Sequence, residues 1–340
     1  GTAGLVSVGT IKAQLLYEIG DPAYLNPDVI GHFDTLSIEQ VGDDRVYVSG
    51  CKGSCPPPSH KVCINTQGGF RNGFEVMITG LDIEEKAKVL SDAFFNNIGG
   101  KEQFDDVSIE LIRCDKENPQ VNEEAFARLR IIVKSHNKDL VGRLFIAKFT
   151  EIGLANIPGF GPVNPIGNGA AFLVYWPTLV DSKYITERVY LNDQVIEVTP
   201  TNQLGLEPVN HKVVPAAVPV APTGEAVSIP FGRLFGTRSG DKGGCANIGV
   251  WATSEEAYGF LHEYLTVDRL KTLMPETAEL EIVRYDLANI HSLNFFIKGI
   301  LEEGVASSGR MDPQAKSMGE YLRAKVIEVP AVLANTIKKA

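Results

Sequence analysis

The sequence lacks an apolar run long enough to cross a membrane. Its longest, AAFLVYW and VVPAAVPVA, fall far short of the ~20 residues a spanning helix needs, and prolines break the second. It also lacks a surplus of positive charge: 32 Lys and Arg stand against 42 Asp and Glu, a net charge of −10. Broad binding to nucleic acid or to an anionic membrane needs such a surplus and is excluded; a local cationic pocket for a carboxylate or phosphate is not. The opening GTAGLVSVGT has no basic region, no apolar core of a signal peptide and no initiator Met, so the chain is expected to be processed or a fragment. Cysteines are not paired in number. Cys51, Cys55, Cys63, Cys114 and Cys245 make five, which predicts reduced thiols and a cytoplasmic location.

Several chemical signatures are missing as well. Histidines 32, 60, 136, 211, 262 and 291 show neither HExxH nor HxH spacing, and no GxSxG stands out. Of these, His291, just ahead of SLNFF, is the one singled out. The cluster CKGSCPPPSHKVC has gaps that fit no paired zinc pattern, so its cysteines read as small packing residues. No metal is expected.

What is present is a mixture of strand and helix signals over 340 residues, enough for about two domains. VGTIKAQLLYEIG carries Ile11, Leu15, Leu16 and Ile19 at helical spacing, with Gly20 as a stop. FDTLSIEQVGDDRVYVSGC reads as two strands around GDD, and KVCINTQGGFRNGFEVMITG as two strands around GG. Residues 83–95 predict an amphipathic helix with Ile83, Val89, Leu90 and Phe94 on its apolar side. A strand near 129–134 and a helix over 138–154 follow, then strands in YITERVYL and QVIEVTP. The stretch 202–227 is dense in proline from Pro208 to Pro222 and reads as a semi-extended linker. Beyond it, CANIGVWA predicts a strand, SEEAYGFLHEYL a helix with a Ser cap, ELEIVRYDL a strand and HSLNFFIKGILEEG a helix ended by Gly304. A further helix is expected after Asp312 and Pro313, and KVIEV as a final strand. The expected fold is α/β (α+β): a mixed-sheet core domain over 1–201, the linker 202–227, and a small ferredoxin-like α+β sandwich over 228–330.

The densest chemistry is in TRSGDKGGCAN, residues 237–247. Read as a loop, its glycines 240, 243 and 244 permit close backbone approach, and successive amides form an anion nest. Arg238 and Lys242 supply positive charge, Asp241 orients a cation or acts as a base, and Ser239 and Asn247 add polar contacts. The spacing is neither GxxxxGK[ST] nor GxGxxG; a charged hairpin with an internal Arg–Asp pair is the plainer alternative. SSGRMDPQAK repeats the mixture with Arg310, Asp312 and Lys316 before a helix N-terminus. NTQGGFRN offers Arg71 and Asn72, although a simple hairpin turn explains it equally well.

These motifs, in order, resemble those of the acyclic terpene utilisation protein A family. Gly1, Thr2, Gly4, the run QLLYEI at 14–19, Pro56, Pro57, Pro58, Lys61 and Val62 match the core pattern. The hallmark RSGDKG at 238–243, NIG at 247–249, the pair Asn294 and Phe295, and Arg310 with Asp312 resemble the small ferredoxin-like domain often attached to it. The cysteine cluster and LEEGVASSG depart from the pattern. The resemblance implies breakdown of branched terpenoids, processed as acyl-CoA thioesters. It also implies an upstream Rossmann-like region, so an N-terminal companion domain or chain is expected to complete any site. The expected enzyme performs lyase or hydratase chemistry on a hydroxyacyl- or enoyl-CoA. Asp241, Lys242 and Arg238 are catalytic in this reading. Ser239, Gly240, Gly243, Asn247, Arg310, Asp312, Lys316, Arg71, Asn72 and Asn294 bind substrate. No cofactor is expected, CoA entering only as part of the substrate. The partners are a small acyl or carboxylate molecule and further copies of the chain. The alternatives are a non-catalytic binding or assembly subunit, and a metal-dependent hydrolase.

Overall fold

A computed structural model describes residues 3–154, 156–199 and 216–337. The chain divides into two compact units, one built from Gly1–Ile64 with Tyr175–Ala340 and the other from Asn65–Val174. The fold is α+β, with several antiparallel sheets.

The first segment opens with helix α1, Val8–Leu15. Ser7 caps it: its hydroxyl accepts from the Thr10 amide while the Thr10 hydroxyl accepts from the Ser7 amide. The helix ends at Leu15, one turn before the predicted stop, because Glu18 takes a left-handed backbone at φ 54°. Strands β1 (Ala23–Leu25) and β2 (Ile30–His32) follow, then the expected hairpin of β3 (Ser37–Gly42) and β4 (Arg45–Ser49), and β5 (Lys52–Ser54). Strands β1, β2 and β5 form one small antiparallel sheet.

The two-strand reading around Gly68 and Gly69 is overturned. One strand, β6, runs unbroken over Ser59–Thr79. Gly68 is there for close packing, since a Cβ would strike Phe172 and Val174. Gly69, at φ 126°, lies against the Ser135 carbonyl where pairing with the next strands begins. Helix α2 covers Ile83–Ile98 and buries Ile83, Ala87, Leu90, Phe94, Phe95 and Ile98. Val89, expected on that side, is 52% exposed, because the three- and four-residue steps from Ile83 bypass it. Strands β7 (Asp106–Ile112) and β8 (Phe126–Ser135), helix α3 (Phe145–Ile152) after a π turn at Leu140–Leu144, and strands β9 (Phe160–Pro162) and β10 (Ala170–Asp181) complete this stretch. The sheet order is β10-β6-β8-β7, with β9 also on β6.

A hairpin of β11 (Glu187–Leu191) and β12 (Gln194–Val198) precedes the proline-rich stretch. Most of that stretch, 200–215, lies outside the described residues. Its later part rests on the domain beyond, with Pro219 and Val220 carbonyls against Gly259. Strand β13 (Ala226–Pro230) leads to β14 (Phe235–Lys242) and β15 (Cys245–Ala252). Helices α4 (Glu255–Tyr264, capped by Ser254) and α5 (Val267–Leu273) follow, then β16 (Ile282–Leu287).

The helix expected over HSLNFFIKGILEEG is instead strand β17, Ser292–Ile297. Leu293, Phe295 and Ile297 enter the core on one face, while Ser292 and Asn294 are buried on the other. The alternation of Ser292 to Phe295 marks the strand, but the apolar run Phe295, Phe296, Ile297 interrupts it, and both faces are covered. The four-stranded antiparallel sheet runs β14-β15-β17-β16. Helix α6, Met318–Arg323, begins six residues after Asp312 rather than at it. The final strand β18 (Val326–Pro330) pairs with β13.

Candidate functional site

Register divides the four-stranded sheet into two faces. Thr237, Ser239 and Asp241 of β14 point to the side of Ile248, Val250, Leu293 and Phe295, which form the core with α4, α5 and α6. Arg238, Gly240 and Lys242 share the opposite side with Asn247, Gly249, Asn294 and Phe296. The end of α1 lies on this second face. It can do so because Gly240 and Gly249 carry no side chain: a Cβ on Gly240 would come within 2.6 Å of Glu18 and 2.8 Å of Tyr17, and one on Gly249 would strike Leu16.

The loop reading of TRSGDKGGCAN therefore needs correction. Residues through Lys242 are strand, Lys242 pairs directly with Cys245, and only Gly243 and Gly244 make the turn. Of the three glycines only Gly243 has positive φ, 65°, so the run of amides an anion nest requires is not formed. Several hallmark residues are committed to internal structure. The Ser239 hydroxyl accepts from the Gly319 amide at 2.8 Å, in the first turn of α6. The Asn247 amide donates to the Leu16 carbonyl at 2.7 Å and to Asn294 Oδ1 at 2.8 Å. Asn294 in turn donates to Gly20 at 2.7 Å and Ile19 at 3.3 Å. Both asparagines are 0% exposed, and together they satisfy carbonyls of the segment 16–20 that follows α1. The Asp312 carboxylate accepts from the Lys316 and Ser317 amides and the Ser317 hydroxyl, holding the turn that presents Lys316. Arg310 pairs with Glu276 at 2.5 Å.

Arg71 and Asn72 belong to the other unit. Asn72 is spent on its own backbone neighbourhood, donating to Val141 at 2.7 Å and Gly167 at 2.9 Å. Arg71 is half-buried, and burial and then Arg130 draw its pKa down.

What remains is a cluster on the outer strand that sequence reasoning found only in part. Tyr17 sits between two cations, with the Arg238 guanidinium 4.3 Å and the Lys316 amine 5.1 Å from its ring centre. The Lys316 amine also donates to the Tyr17 hydroxyl, which pushes its pKa up, and lies 3.7 Å from Glu18. Asp241 lies near Glu18 around the strand edge, close enough for the two carboxyl groups to influence each other. Burial first, then the Glu18 charge, raise the Asp241 pKa. Tyr17 and Glu18 were missed because the helical pattern extends over them and gives them to solvent. The signal was Gly240, a strand residue that has to leave room for something.

Lys242 ties this cluster to a cavity of about 530 Å³. The walls include Tyr24, Leu25, Leu179 and Phe296, and Lys61 joins Lys242 as a second cation. That volume suits a small organic ligand. Burial around the amine and then Lys61 lower the Lys242 pKa, against the attraction of Glu18 and Asp241. Among the described residues, no group of three or more His, Cys, Asp or Glu is placed to hold a metal ion. No disulfide joins the five cysteines; Cys51, Cys63 and Cys114 are exposed rather than packed. No helix of the described residues is long and apolar enough to cross a membrane.

The model of the family described as "Acyclic terpene utilisation family protein AtuA" matches residues 1–191, and that of the "AtuA ferredoxin-like domain" matches residues 229–328. No curated protein and no solved structure matches the chain.

Proposed function

We propose that this chain, which belongs to the acyclic terpene utilisation AtuA family, is an enzyme of branched acyl catabolism with lyase or hydratase activity on an enoyl or hydroxyacyl thioester. The family description supplies the setting, acyclic terpene utilisation. The observation that carries the chemistry is the carboxyl pair Glu18 and Asp241, the second with its pKa raised by burial and then by the Glu18 charge, near Lys242, the lysine that lines an apolar cavity. In hydration, the ionised carboxylate of the pair takes a proton from water. The hydroxyl bonds to the β-carbon, and the electron pair moves onto the thioester oxygen. Lys242 stabilises that enolate, and the protonated member of the pair delivers its proton to the α-carbon. The reverse sequence expels water. Tyr24, Leu25, Leu179 and Phe296 accommodate the branched chain. Arg238 and Lys316 hold Tyr17 from two sides and keep Glu18 in place.

Asp241→Asn tests this. Turnover of a branched enoyl-CoA is expected to fall about 10²–10⁴-fold with substrate binding retained. Failure of the chain to bind any acyl-CoA at millimolar concentration overturns the reading. A second reading has its own support. Ser239, Asn247, Asn294 and Asp312 of the hallmark motifs all serve internal structure. That favours a non-catalytic binding subunit, and tight acyl-CoA binding without turnover would identify it.

A further inference from the structure

Two cations stand at the cavity, each near a tyrosine ring. The Lys61 amine stands 5.6 Å from the centre of the Tyr175 ring. The Lys242 amine, 5.9 Å from the centre of the Tyr24 ring, has no hydrogen bond or ion pair among the described residues. Arg238, four residues back on the same face of β14, is stacked on Tyr17, so lysines alone face the apolar wall. A lysine beside a second cation, at an apolar cavity and without a carboxylate clamped on it, has the arrangement that makes an amine nucleophilic.

We propose that Lys242 is a carbonyl-capturing amine, and that the cavity takes a small branched aldehyde or ketone as an imine. The amine adds to the carbonyl carbon, and the nitrogen's proton passes to the oxygen to give a carbinolamine. Water then leaves as the C=N bond forms. Asp241, whose pKa is raised by burial and then by Glu18, supplies the acid that expels the water and recovers the proton from the nitrogen on hydrolysis. The charged or titratable groups around the amine are Lys61, His60 and Asp21 at the cavity, and Glu18 and Asp241 at the strand. Burial and Lys61 lower the pKa of the Lys242 amine and so enlarge its unprotonated fraction near neutral pH. This activity goes beyond thioester hydration and does not depend on it.

The test is reductive trapping with isovaleraldehyde and cyanoborohydride on the intact chain at pH 7, with peptide mapping by mass spectrometry. Lys242 is expected to acquire the isopentyl group several-fold faster than the exposed surface lysines. Lys61→Met should slow labelling of Lys242 several-fold while leaving distant lysines unchanged, and raising the pH should restore the rate. This variant keeps the informative lysine in place, so the test does not depend on Lys242→Met folding. Labelling spread evenly over the lysines, or a Lys242 rate indifferent to Lys61→Met, overturns the proposal. Thioester turnover in a protein that shows no selective trapping would leave the hydratase reading standing and this one refuted.

Discussion

Lys12 and Lys242 have the same side chain and the same direction of pKa shift, yet they stand in opposite situations. Lys12 is 6% exposed, on the buried side of α1, and its amine donates to the Ala252 carbonyl at 3.2 Å. Burial pulls its pKa down to about 8. Nearby His291, the histidine singled out in the sequence, is held low by burial and then by Lys12, against the pull of Glu255 and Glu256. Its ring stacks on Tyr258 at 5.5 Å rather than facing a ligand. Lys242 is exposed overall and its amine opens on a cavity. A lowered pKa is thus no sign of function by itself. Where the amine is sealed against a backbone carbonyl it is a cost borne by the fold; where it lines a cavity, as at Lys242, the same shift leaves an amine open to a ligand.

Three measurements sharpen the contrast. Lys12→Met should have the largest effect, and it should be on stability. The folded pKa of Lys12, about 8, lies below the ordinary value of 10.5. Between those values the unfolded chain binds a proton that the folded chain does not. Stability therefore rises with pH across the window, by at most about 1.4 kcal/mol per unit from this group. The full penalty applies below the window and is gone above it. Lys12→Met is expected to be more stable at neutral pH and to lose this rise, as read by urea denaturation at several pH values. An unchanged slope would show that Lys12 reaches water.

Asn294→Ala should cost less, about 1–3 kcal/mol, because it leaves the Ile19 and Gly20 carbonyls without their donor. It is expected to loosen the end of α1 and so to disturb Tyr17 and Glu18, raising KM of any activity at the Asp241 edge. The effect on Lys12, at the other end of the helix, should be small. The smallest effect is on His291. Its NMR titration should move upward in the Lys12→Met protein, since one of the influences holding it down is removed.

How far these regions could be read from sequence follows the same divide. Arg238, Asp241 and Lys242 stand out in the sequence because unlike charges are crowded into a short stretch with glycines. The error lay in the backbone. Glycine was taken as a turn signal, whereas Gly68 and Gly240 sit in strands and make space for a neighbour. Strand β17 was misread because the polar–apolar alternation of Ser292 to Phe295 is short and is broken by the consecutive apolar residues Phe295, Phe296 and Ile297. Tyr17 and Glu18 come from more than 200 positions upstream of the strand they meet. Local pattern placed them on a helix face, and the left-handed turn at Glu18 that redirects them has no strong sequence mark.

The asparagine pair has a consequence for how such chains are inherited. Residues 1–191 and 229–328 match separate family models, as though each were a bead that recombination could move alone. Yet Asn247 and Asn294, in the second segment, hold carbonyls of Leu16, Ile19 and Gly20, in the first. A gene that kept only the ferredoxin-like segment would leave two buried amides and the bare glycine floor of its sheet facing water. The two segments are therefore expected to travel together, and a split gene should function only when both pieces are made in one cell and reassociate.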